Sequence, residues 1–412
     1  MPIIFQISIE VNSGSVGRIA EQIGQVAISH GWDSYITYAR NHLPSKSKTI
    51  KIGTKWDLYW HGIMTRLFDR HCLHSTMATK ELVRQIERIK PDIIQLHHIH
   101  GYFLNMQILF GYLSSISTPV VWIFHDCWAM TGHCAHFDYV GCDKWLSQCG
   151  ACAQKNVYPG SYLLDRSFKN YQLKRRLFNS VQNMTIVPVS KWLGGIVCQS
   201  FLQNSPIEVI QNGIDLQLFS PQSDKDVCAM RNRLGLVEQL FVLLGVASTW
   251  DQRKGLEDFI QLHNIIPTNW KVVLVGLSKE QIERLPIGII GIERTENIAQ
   301  LATLYTMASV FINPTWEDTF PTTNLEALAC GTPVITYRTG GSVESISEEV
   351  GYVVEKGDVE GLKKNINAIL QKGEGAYQDT CRSRALKYYD KDERFEDYIK
   401  LYNKLIEKNN PK

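Results

Sequence analysis

The sequence predicts an α/β protein made of two domains, each built on an open parallel β-sheet. Its 412 residues exceed the usual size of one domain and suit two domains of about 200 residues. Short apolar runs recur along the chain, and each ends in glycine or polar residues ahead of the next segment. In open parallel sheets, ligands bind at the carboxyl ends of the strands. The polar segments that follow the apolar runs are therefore the candidate sites.

Composition excludes several classes of protein. Lysine and arginine number 43 against 41 aspartate and glutamate residues, so nothing indicates a general nucleic-acid-binding protein. The beginning of the chain has no basic region followed by a long apolar core, as a signal peptide would have. No apolar run reaches the roughly 18 residues of a membrane span. We therefore expect a cytoplasmic protein, in which ten cysteines favour thiols or a metal over disulfides.

The first predicted strand, residues 3–9, leads into a glycine-containing loop at residues 12–18. A helix with one apolar face follows this loop. Gly14 and Gly17 would allow the backbone to approach a ligand closely, although an ordinary tight turn also accounts for them. The segment lacks the three glycines of the dinucleotide fingerprint, and no acid follows the next strand, residues 34–38, to hold a ribose. A hydride-transfer enzyme is therefore disfavoured.

Two further apolar strands, residues 91–96 and 119–124, end directly in histidines. The first is followed by a cluster that contains His97, His98 and His100, and the second by His125 and Asp126. Three histidines in four residues suggest a metal, but alternate residues of a strand point to opposite faces. His125 is either a ligand-binding residue or a structural histidine held by Asp126.

A cysteine-rich insertion at residues 127–152 follows this second strand. Four thiolates are enough for tetrahedral zinc, and a metal would order loops that are too short for much of a core. The alternatives are a redox pair at the final C-x-x-C and simple free thiols. The four cysteines are Cys134, Cys142, Cys149 and Cys152.

Residues 161–180 mix Leu, Phe and Tyr with Lys169, Lys174, Arg175 and Arg176. A helix of this kind either rests on a membrane surface, with its cations on anionic lipid, or is an ordinary surface helix.

The second half of the chain begins with a predicted strand at residues 241–247. The loop after it carries Arg253, Lys254 and Gly255 ahead of a helix. Two cations at a helix N-terminus are suited to neutralising the charge of a diphosphate group. Each cation taken singly is also compatible with solvated surface charge.

The sequence of residues 311–346 predicts a strand, a loop, a helix that begins at Thr322 or Thr323, a second strand and a Gly-Gly turn. Helix N-termini in such places offer backbone N–H groups to phosphate. Asp318 and Glu326 would suit the hydroxyl groups of the same ligand. Thr323 to Glu326 also fits the capping-box pattern, which would make Glu326 a helix-capping residue.

This stretch resembles the donor-site signature of retaining glycosyltransferases of family four. Asp318, seven intervening residues and Glu326 are followed by the sequence ALACGTPV and by Gly340-Gly341. The first acid of that signature is usually Glu; here Asp318 is in register and Glu317 lies beside it. The segment VIQNGID, residues 209–215, is similar to the one that enters the second domain of the family. The insertion of cysteines is similar to those of capsule- and colanic-acid-type members.

The resemblance implies a GT-B fold, in which two Rossmann-like domains face each other across a cleft. It implies an acceptor-side domain over residues 1–215, a donor domain over 216–390, and a final helix over 391–412 that returns to the first domain. We expect a nucleotide-sugar donor, carrying UDP or GDP, and a saccharide or polyprenyl-linked acceptor. Catalysis would need no metal, so the predicted zinc is structural.

The resemblance also assigns roles to residues. Glu326 would hold the ribose, and Asp318 or Glu317 would position the sugar, with His125 on its other side. Lys254 and Arg253, with Gly14, would bind the diphosphate together with the helix N-terminus at Thr323, Asn324 and Leu325. His98, His100 and Asp126 would lie on the acceptor side. A carbohydrate hydrolase and a nucleotide-sugar-binding scaffold protein remain as alternatives.

Overall fold

The computed structural model describes residues 1–236, 240–373 and 375–409. The chain divides into two compact units. The first contains Met1–Ile210 and the chain from Phe395 onward, and the second contains Gln211–Arg394. The division at Ile210 lies five residues before the expected boundary, and the return at Phe395 lies four residues after the expected start of the tail.

The first unit is built on a six-stranded, wholly parallel sheet with strand order β3-β2-β1-β4-β5-β6. The central strands are buried on both faces, which is the pattern of a parallel sheet covered by helices. The strands are β1 (Ile3–Ile7), β2 (Asp33–Tyr38), β3 (Lys48–Lys51), β4 (Ile93–Leu96), β5 (Val120–Phe124) and β6 (Met184–Pro188).

Helices connect these strands. Two short 3-10 helices, Trp128–Met130 and Lys144–Leu146, lie in the cysteine-rich region. The α-helices are α1 (Gly14–Ser29), α2 (Lys55–Phe68), α3 (Thr76–Ile89), α4 (Met106–Leu113), α5 (Ser167–Phe178) and α6 (Lys191–Gln199).

The second unit has the same architecture, again with six parallel strands, in the order β12-β11-β10-β7-β8-β9. Its strands are β7 (Phe241–Val246), β8 (Trp270–Val275), β9 (Ile290–Ile292), β10 (Val310–Asn313), β11 (Val334–Tyr337) and β12 (Gly351–Val354). Its helices are α7 (Asp224–Arg233), α8 (Leu256–Ile265), α9 (Lys279–Glu283), α10 (Ile298–Met307), α11 (Thr322–Ala329), α12 (Val359–Gln371) and α13 (Gln378–Tyr388).

Both sheets reverse their strand order beside the first strand of the unit, between β1 and β4 and between β7 and β10. The crevice outside the carboxyl ends of the strands at such a reversal is the usual ligand site of an open α/β sheet. The segments that follow these strands are residues 8–13 and 97–100 in the first unit, and 247–255 and 314–321 in the second. These are the segments that carry most of the predicted site residues.

The last helix, α14 (Lys391–Asn409), begins in the second unit and packs within the first from Phe395 onward. The Lys391 N–H donates to the Ile214 carbonyl over 3.1 Å. Further along, the Tyr402 ring lies 5.9 Å from the Trp32 ring, and its hydroxyl donates to Gln95. None of the helices in the described ranges combines the length and the apolarity that crossing a membrane requires.

Candidate active site

In the second unit, the loop after β10 is fastened to the loop after β7. The Trp316 N–H donates to the Arg253 carbonyl over 2.7 Å, and the Thr315 hydroxyl donates to the same carbonyl over 3.3 Å. Gly255 permits this close approach: its φ is +75°, and a Cβ there would lie 2.3 Å from the Pro314 carbonyl oxygen. Two motifs that are about 60 residues apart in sequence therefore form one site.

Two cations and two acids of these motifs face one another. Lys254 Nζ lies 2.6 Å from an Asp318 oxygen, and an Arg253 nitrogen lies 3.4 Å from Glu317. Arg253 also pairs with Asp251 at 2.8 Å. The Glu317 side chain is only 2% exposed, whereas those of Asp318 and Lys254 are 17% and 29% exposed. Asp318 and Lys254 are therefore the pair that an incoming ligand can reach more readily.

Helix α11 begins at Thr322 with Pro321 as its N-cap residue. The Asn324 N–H donates to the Pro321 carbonyl over 3.3 Å. By helix geometry, the N–H groups of the first turn that lack an acceptor within the helix are therefore those of Thr322 and Thr323. The Leu325 N–H, predicted to bind a diphosphate, is the fourth of the helix, where helix geometry directs it to the Pro321 carbonyl, and Leu325 is fully buried.

The Asn324 side chain fixes the position of this helix. Its oxygen accepts a 2.8 Å hydrogen bond from Asn313 at the end of β10. Its nitrogen donates to the hydroxyls of Ser342 and Ser345 over 3.2 and 3.1 Å. Both serines lie in a 3-10 helix, Gly340–Ser345, where the sequence predicted a simple Gly-Gly turn. Asn324 thus joins the start of α11 to the end of β10 and to the 3-10 helix that follows β11.

Glu326 lies one turn into α11 and accepts a 2.9 Å hydrogen bond from the Tyr305 hydroxyl of α10. Burial and the neighbouring carboxylate both raise the pKa of Tyr305, so this hydroxyl keeps its proton and remains a donor. The capping-box interpretation is wrong, because the cap residue is Pro321 and Thr323 lies inside the helix. Sequence reasoning missed Tyr305, since nothing in the pattern links two helices 21 residues apart.

In the first unit, His125 follows β5 and lies among other histidines. Its ring stacks on His97 at 5.8 Å, with an interplanar angle of 13°, and meets His98 edge-on at 5.1 Å. Burial lowers the pKa of His125 well below its usual value, and the nearby His98 adds to the effect. His125 is therefore a neutral imidazole at pH 7, which can donate or accept a hydrogen bond without carrying charge.

The Asp126 carboxylate joins His98 and His100. Its Oδ2 lies 3.3 Å from His98 Nε2 and 2.9 Å from His100 Nε2, while Oδ1 accepts from the Trp128 N–H over 2.9 Å. Burial by itself would raise the pKa of Asp126, but the two histidines outweigh it and hold that pKa well below its usual range. Tyr158, another residue missed from the sequence, meets His100 Nδ1 at 3.2 Å.

The expectation that strand alternation would separate these histidines is wrong. Residues 97–100 follow the end of β4 at Leu96 and have no regular secondary structure, so His98 and His100 can turn to the same carboxylate. With Asp126 they form the group of His, Cys, Asp and Glu side chains, among the described residues, whose ligand atoms lie within 4.8 Å of one another. Two imidazoles and a carboxylate have the chemistry to ligate a divalent transition metal.

Gly14 is the first residue of α1 and not part of a longer loop. Its φ is +62°, and a Cβ there would lie 2.9 Å from a Glu10 carboxylate oxygen. The N-terminus of α1 and the segment after β1 therefore come together at the carboxyl edge of the first sheet, where the strand order reverses.

The helix for which the sequence left open a membrane contact or an ordinary surface role is shorter than residues 161–180. Helix α5 covers only Ser167–Phe178, and Lys174 is 1% exposed. The Lys174 ammonium donates to the carbonyls of Trp128 and Thr131 over 2.7 and 2.9 Å and lies 3.4 Å from the Trp128 ring centroid. Burial lowers the pKa of Lys174 to about 7. The Lys174 side chain is therefore part of the protein core, and it cannot contact a lipid surface.

A cavity of about 520 Å³ in the second unit lies away from the predicted site. It is lined by Phe241, Ser309 and Pro333, at or just before the amino ends of β7, β10 and β11. The predicted site residues follow the opposite ends of these strands.

Comparison with known proteins gives a family. A model described as Glycosyltransferase Family 4 matches residues 16–218, and one described as Glycosyl transferases group 1 matches residues 240–372. The chain belongs to glycosyltransferase family 4. The first match covers most of the first unit and ends at residue 218, and the second match lies within the second unit. The predicted donor motif of this family 4 chain lies inside the second match.

Curated relatives of this family 4 chain include glycosyltransferases of surface polysaccharide and glycan assembly. The chain is 27% identical over 191 residues to a putative colanic acid biosynthesis glycosyl transferase, WcaC of Escherichia coli, a match that covers 43% of this chain and 46% of that protein. It is 25% identical over 270 residues to the N,N'-diacetylbacillosaminyl-diphospho-undecaprenol alpha-1,3-N-acetylgalactosaminyltransferase of Campylobacter jejuni, covering 60% of this chain and 69% of that protein. The match to WcaC thus spans about half the length of that relative.

Among solved structures, HepE of Anabaena in complex with UDP-glucose has a TM-score of 0.68 at 15% identity, covering 98% of this chain and 99% of that one. The fold of this family 4 protein is GT-B, with two Rossmann-like domains, as the sequence predicted.

Proposed function

We propose that the protein is a retaining glycosyltransferase that moves a sugar from a nucleotide-sugar donor to a saccharide or lipid-linked acceptor in surface polysaccharide biosynthesis. The observation that carries the proposal is the arrangement of Lys254 and Arg253 against Asp318 and Glu317 at the start of helix α11. Cations, acids and helix N–H groups lie together there, which supports binding and transfer from a sugar diphosphate.

The diphosphate would take the place of Asp318 as the partner of Lys254. In the structure, the Lys254 ammonium is paired with the Asp318 carboxylate, which is itself partly exposed. A phosphate would draw the ammonium toward itself and leave Asp318 to accept hydrogen bonds from sugar hydroxyls. The N–H groups of Thr322 and Thr323 would add to the binding of the diphosphate.

Glu326 would accept hydrogen bonds from the ribose hydroxyls. The Tyr305 hydroxyl already donates to one of its oxygens and so orients the carboxylate. Hydrogen bonds to a charged acceptor are stronger than neutral ones, each contributing about 1.5–3 kcal/mol. We assign the nucleotide as a uridine or guanosine diphosphate; the binding of UDP-glucose by HepE supports the first of these.

The chemical step would break the bond between the sugar and the leaving phosphate while the acceptor oxygen bonds to the same face of the sugar. The acceptor's proton would pass to an oxygen of the leaving diphosphate, so the protein supplies no dedicated base. Lys254 and Arg253 would stabilise the charge that develops on that phosphate. His125, neutral at pH 7, would hydrogen-bond the donor sugar, as the family resemblance implies.

The relatives support the acceptor class. One is named for colanic acid biosynthesis and another for a diphospho-undecaprenol acceptor. We therefore propose a saccharide carried on a polyprenyl diphosphate, used at the cytoplasmic face of a membrane, with His98, His100 and Asp126 on the acceptor side.

An exposed aromatic face on helix α2 is the surface proposed to meet that membrane. Trp56, Tyr59 and Trp60 are 79%, 65% and 57% exposed and recur at helical spacing. The chain segment that carries Tyr162 and Leu163, which are 61% and 62% exposed, is hydrogen-bonded to the end of the same helix. Tryptophan and tyrosine favour the membrane interface, and this surface replaces helix α5 as the proposed contact.

Turnover of defined substrates tests the proposal. Purified protein is incubated with a panel of UDP- and GDP-sugars and with short and polyprenyl-linked saccharide acceptors, alongside Glu326→Ala. We expect transfer from one donor, with the anomeric configuration retained by NMR, and its loss in the variant. Release of free sugar without transfer would favour a hydrolase. Donor binding without turnover on any acceptor would favour a binding protein.

A further inference from the structure

His98, His100 and Asp126 meet at the carboxyl edge of the first sheet, on the segments that follow the paired strands β4 and β5. One ligand atom of each side chain lies within 4.8 Å of the other two. The four cysteines of the insertion do not form such a group within the described ranges, so the zinc predicted for them stays a prediction. We propose that His98, His100 and Asp126 bind one divalent transition-metal ion of the Zn²⁺ type.

The spacing of the three ligand atoms is close to that of a metal site. Asp126 Oδ2 lies 2.9 Å from His100 Nε2 and 3.3 Å from His98 Nε2. With metal–ligand bonds of about 2.1 Å, neighbouring ligand atoms lie about 3.0 Å apart in an octahedral site and about 3.4 Å apart in a tetrahedral one. The two nitrogens lie within 4.8 Å of each other, so they would close by at most about 1.4 Å to reach the tetrahedral spacing. Two of the three separations therefore already fit.

The His98 Nε2 atom gives a second, independent indication. It is shielded from solvent, yet it has no hydrogen-bond partner within the described part of the chain. Its approach to Asp126 over 3.3 Å is an ion-pair distance without the geometry of a hydrogen bond. Buried polar atoms are nearly always satisfied, and a bound ion is one way in which an exception is resolved. A cation between His98 and Asp126 would satisfy this nitrogen through its lone pair.

Hydrogen bonds around His100 and Asp126 direct their ligand atoms to one point. The Tyr158 hydroxyl donates to the His100 carbonyl over 3.2 Å, and its oxygen lies 3.2 Å from His100 Nδ1. That oxygen can accept the Nδ1 proton, which leaves the lone pair of Nε2 available to a metal. Asp126 Oδ1 accepts from the Trp128 N–H over 2.9 Å, so Oδ2 is the oxygen left for the ion. Metal-binding histidines and carboxylates commonly have such outer partners.

The backbone that carries the two histidines is held in place, although residues 97–100 have no regular secondary structure. The His97 N–H donates to the Ile7 carbonyl over 3.0 Å. The His100 carbonyl is also hydrogen-bonded to the His71 ring, on the other side of the segment. The ligands are therefore carried on a fixed backbone, which favours a site of defined geometry.

An ion can reach the cluster from the His98 side. The side chain of His98 is 29% exposed, whereas those of Asp126 and His100 are 11% and 6% exposed. Two imidazoles and one carboxylate leave further coordination positions, which water would fill. With neutral imidazoles the cluster carries one negative charge, and a divalent ion would change this to one positive charge. The ion would also join the segments after β4 and β5.

Metal binding by the full-length protein tests the proposal. It needs no assay of activity, so its outcome is independent of the proposed transferase function. Protein without a histidine tag is stripped with a chelator, desalted, and titrated with Zn²⁺ by calorimetry and with Co²⁺ by absorption spectroscopy. We expect about one Zn²⁺ ion per chain and a cobalt spectrum of nitrogen and oxygen ligands. Mg²⁺ in about hundredfold excess should not displace the Zn²⁺, because imidazole nitrogen favours transition metals.

Variants locate the site. His98→Ala and Asp126→Asn should each weaken Zn²⁺ binding by at least about 100-fold, since each removes a ligand or its charge. Tyr158→Phe should weaken it by about 10- to 100-fold, because it removes the partner of His100 Nδ1. The matched control, His42→Ala, changes an exposed histidine of the same unit and should bind Zn²⁺ as the wild type does. The wild-type titration tests the proposal even if a variant fails to fold.

Three results would overturn the proposal. A folded wild-type protein that binds no Zn²⁺ at micromolar concentrations would show that the cluster is a hydrogen-bonded network only. An equal loss of binding in His42→Ala and His98→Ala would show adventitious binding by surface histidines. Zn²⁺ binding that persists in His98→Ala, together with a sulfur-to-cobalt charge-transfer band, would place the ion at the cysteines instead.

Discussion

The Lys254 ammonium lies 2.6 Å from the Asp318 carboxylate, although the two residues are 64 positions apart in the sequence. The parallel contact between Arg253 and Glu317 is longer, at 3.4 Å, and Glu317 is almost fully buried. Adjacent acids therefore have different partners and different exposure. We assign Asp318 and Lys254 to the ligand and the buried Glu317 to the loop structure. Arg253, which is 32% exposed, remains a proposed ligand of the diphosphate.

Asp318→Asn should reduce kcat/KM by about 100-fold or more with little change in Tm, because it removes the charged acceptor that we propose for the sugar hydroxyls. Glu317→Gln should mainly lower Tm, since it leaves Arg253 without its buried partner. Steady-state kinetics and thermal melts of both variants give the comparison. A greater loss of activity for Glu317→Gln at unchanged stability would reverse the assignment of the two acids.

Lys254→Met should reduce kcat by about 100- to 1000-fold, because the charge on the leaving diphosphate develops in the transition state. The matched control is Lys279→Met at an exposed position in the same unit, which should leave kcat unchanged. Equal effects of the two substitutions would show that net charge, and not Lys254 itself, is responsible.

Tyr305→Phe should raise the KM for the nucleotide sugar several-fold and leave kcat nearly unchanged, since the lost hydrogen bond orients Glu326 without touching the reacting atoms. Glu326→Gln should raise KM further, because the amide cannot accept two charge-assisted hydrogen bonds. Isothermal titration with the nucleoside diphosphate would show the same order. A fall in kcat with no change in KM for Tyr305→Phe would argue against a ribose-binding role.

His61 makes folding sensitive to acid. It is fully buried, its Nε2 accepts from the Cys72 N–H over 3.0 Å, and burial lowers its pKa to about 3. Between pH 6.5 and pH 3 the unfolded state binds a proton that the folded state does not, so stability falls as pH falls. The loss is about 1.4 kcal/mol per pH unit.

Urea unfolding at several pH values between 7 and 4 measures this effect. His61→Gln should be less stable at pH 7 but should have a shallower pH dependence than the wild type, by about one proton. Identical slopes for the two proteins would mean that His61 does not contribute to the acid sensitivity.

The aromatic face of α2 should determine binding to lipid vesicles. Trp56→Ser combined with Trp60→Ser should reduce the fraction bound to anionic vesicles by about tenfold or more, because each buried tryptophan contributes one or more kcal/mol. Ile287→Ser is the matched control, as Ile287 is fully exposed in the second unit. Vesicle co-sedimentation at low and moderate salt gives the readout, and unchanged binding of the tryptophan variant would exclude this surface.

Much of the fold could be predicted from the sequence, because buried parallel strands read as short apolar runs and their ends as polar residues. The strands at residues 93–96 and 120–124 and the loops that follow them were expected within a few residues. Where prediction failed, the structure departs from regular geometry. The turn of His98 and His100 to one carboxylate depends on irregular backbone, to which strand alternation does not apply.

Other features depend on contacts that no local pattern records. Tyr305 meets Glu326 because two helices pack side by side, and Lys174 is buried because Trp128 and Thr131 direct their carbonyls at it. The composition of α5 suggested a solvated, cationic surface, but one of its cations is inside the protein. Periodicity shows which face of a helix is apolar, but it does not show which lysine has carbonyl partners in the core.

Helix α14 has a consequence for the order of events during synthesis. In the first unit, residues from Phe395 onward pack on Trp32 and bond Gln95, yet these residues are translated after the whole of the second unit. The second unit, which is continuous from Gln211 to Arg394, is made before them and can finish folding first. The unit whose strands are translated first is therefore completed after the second unit, and nascent chains that end before Phe395 leave Trp32 and Gln95 without these contacts.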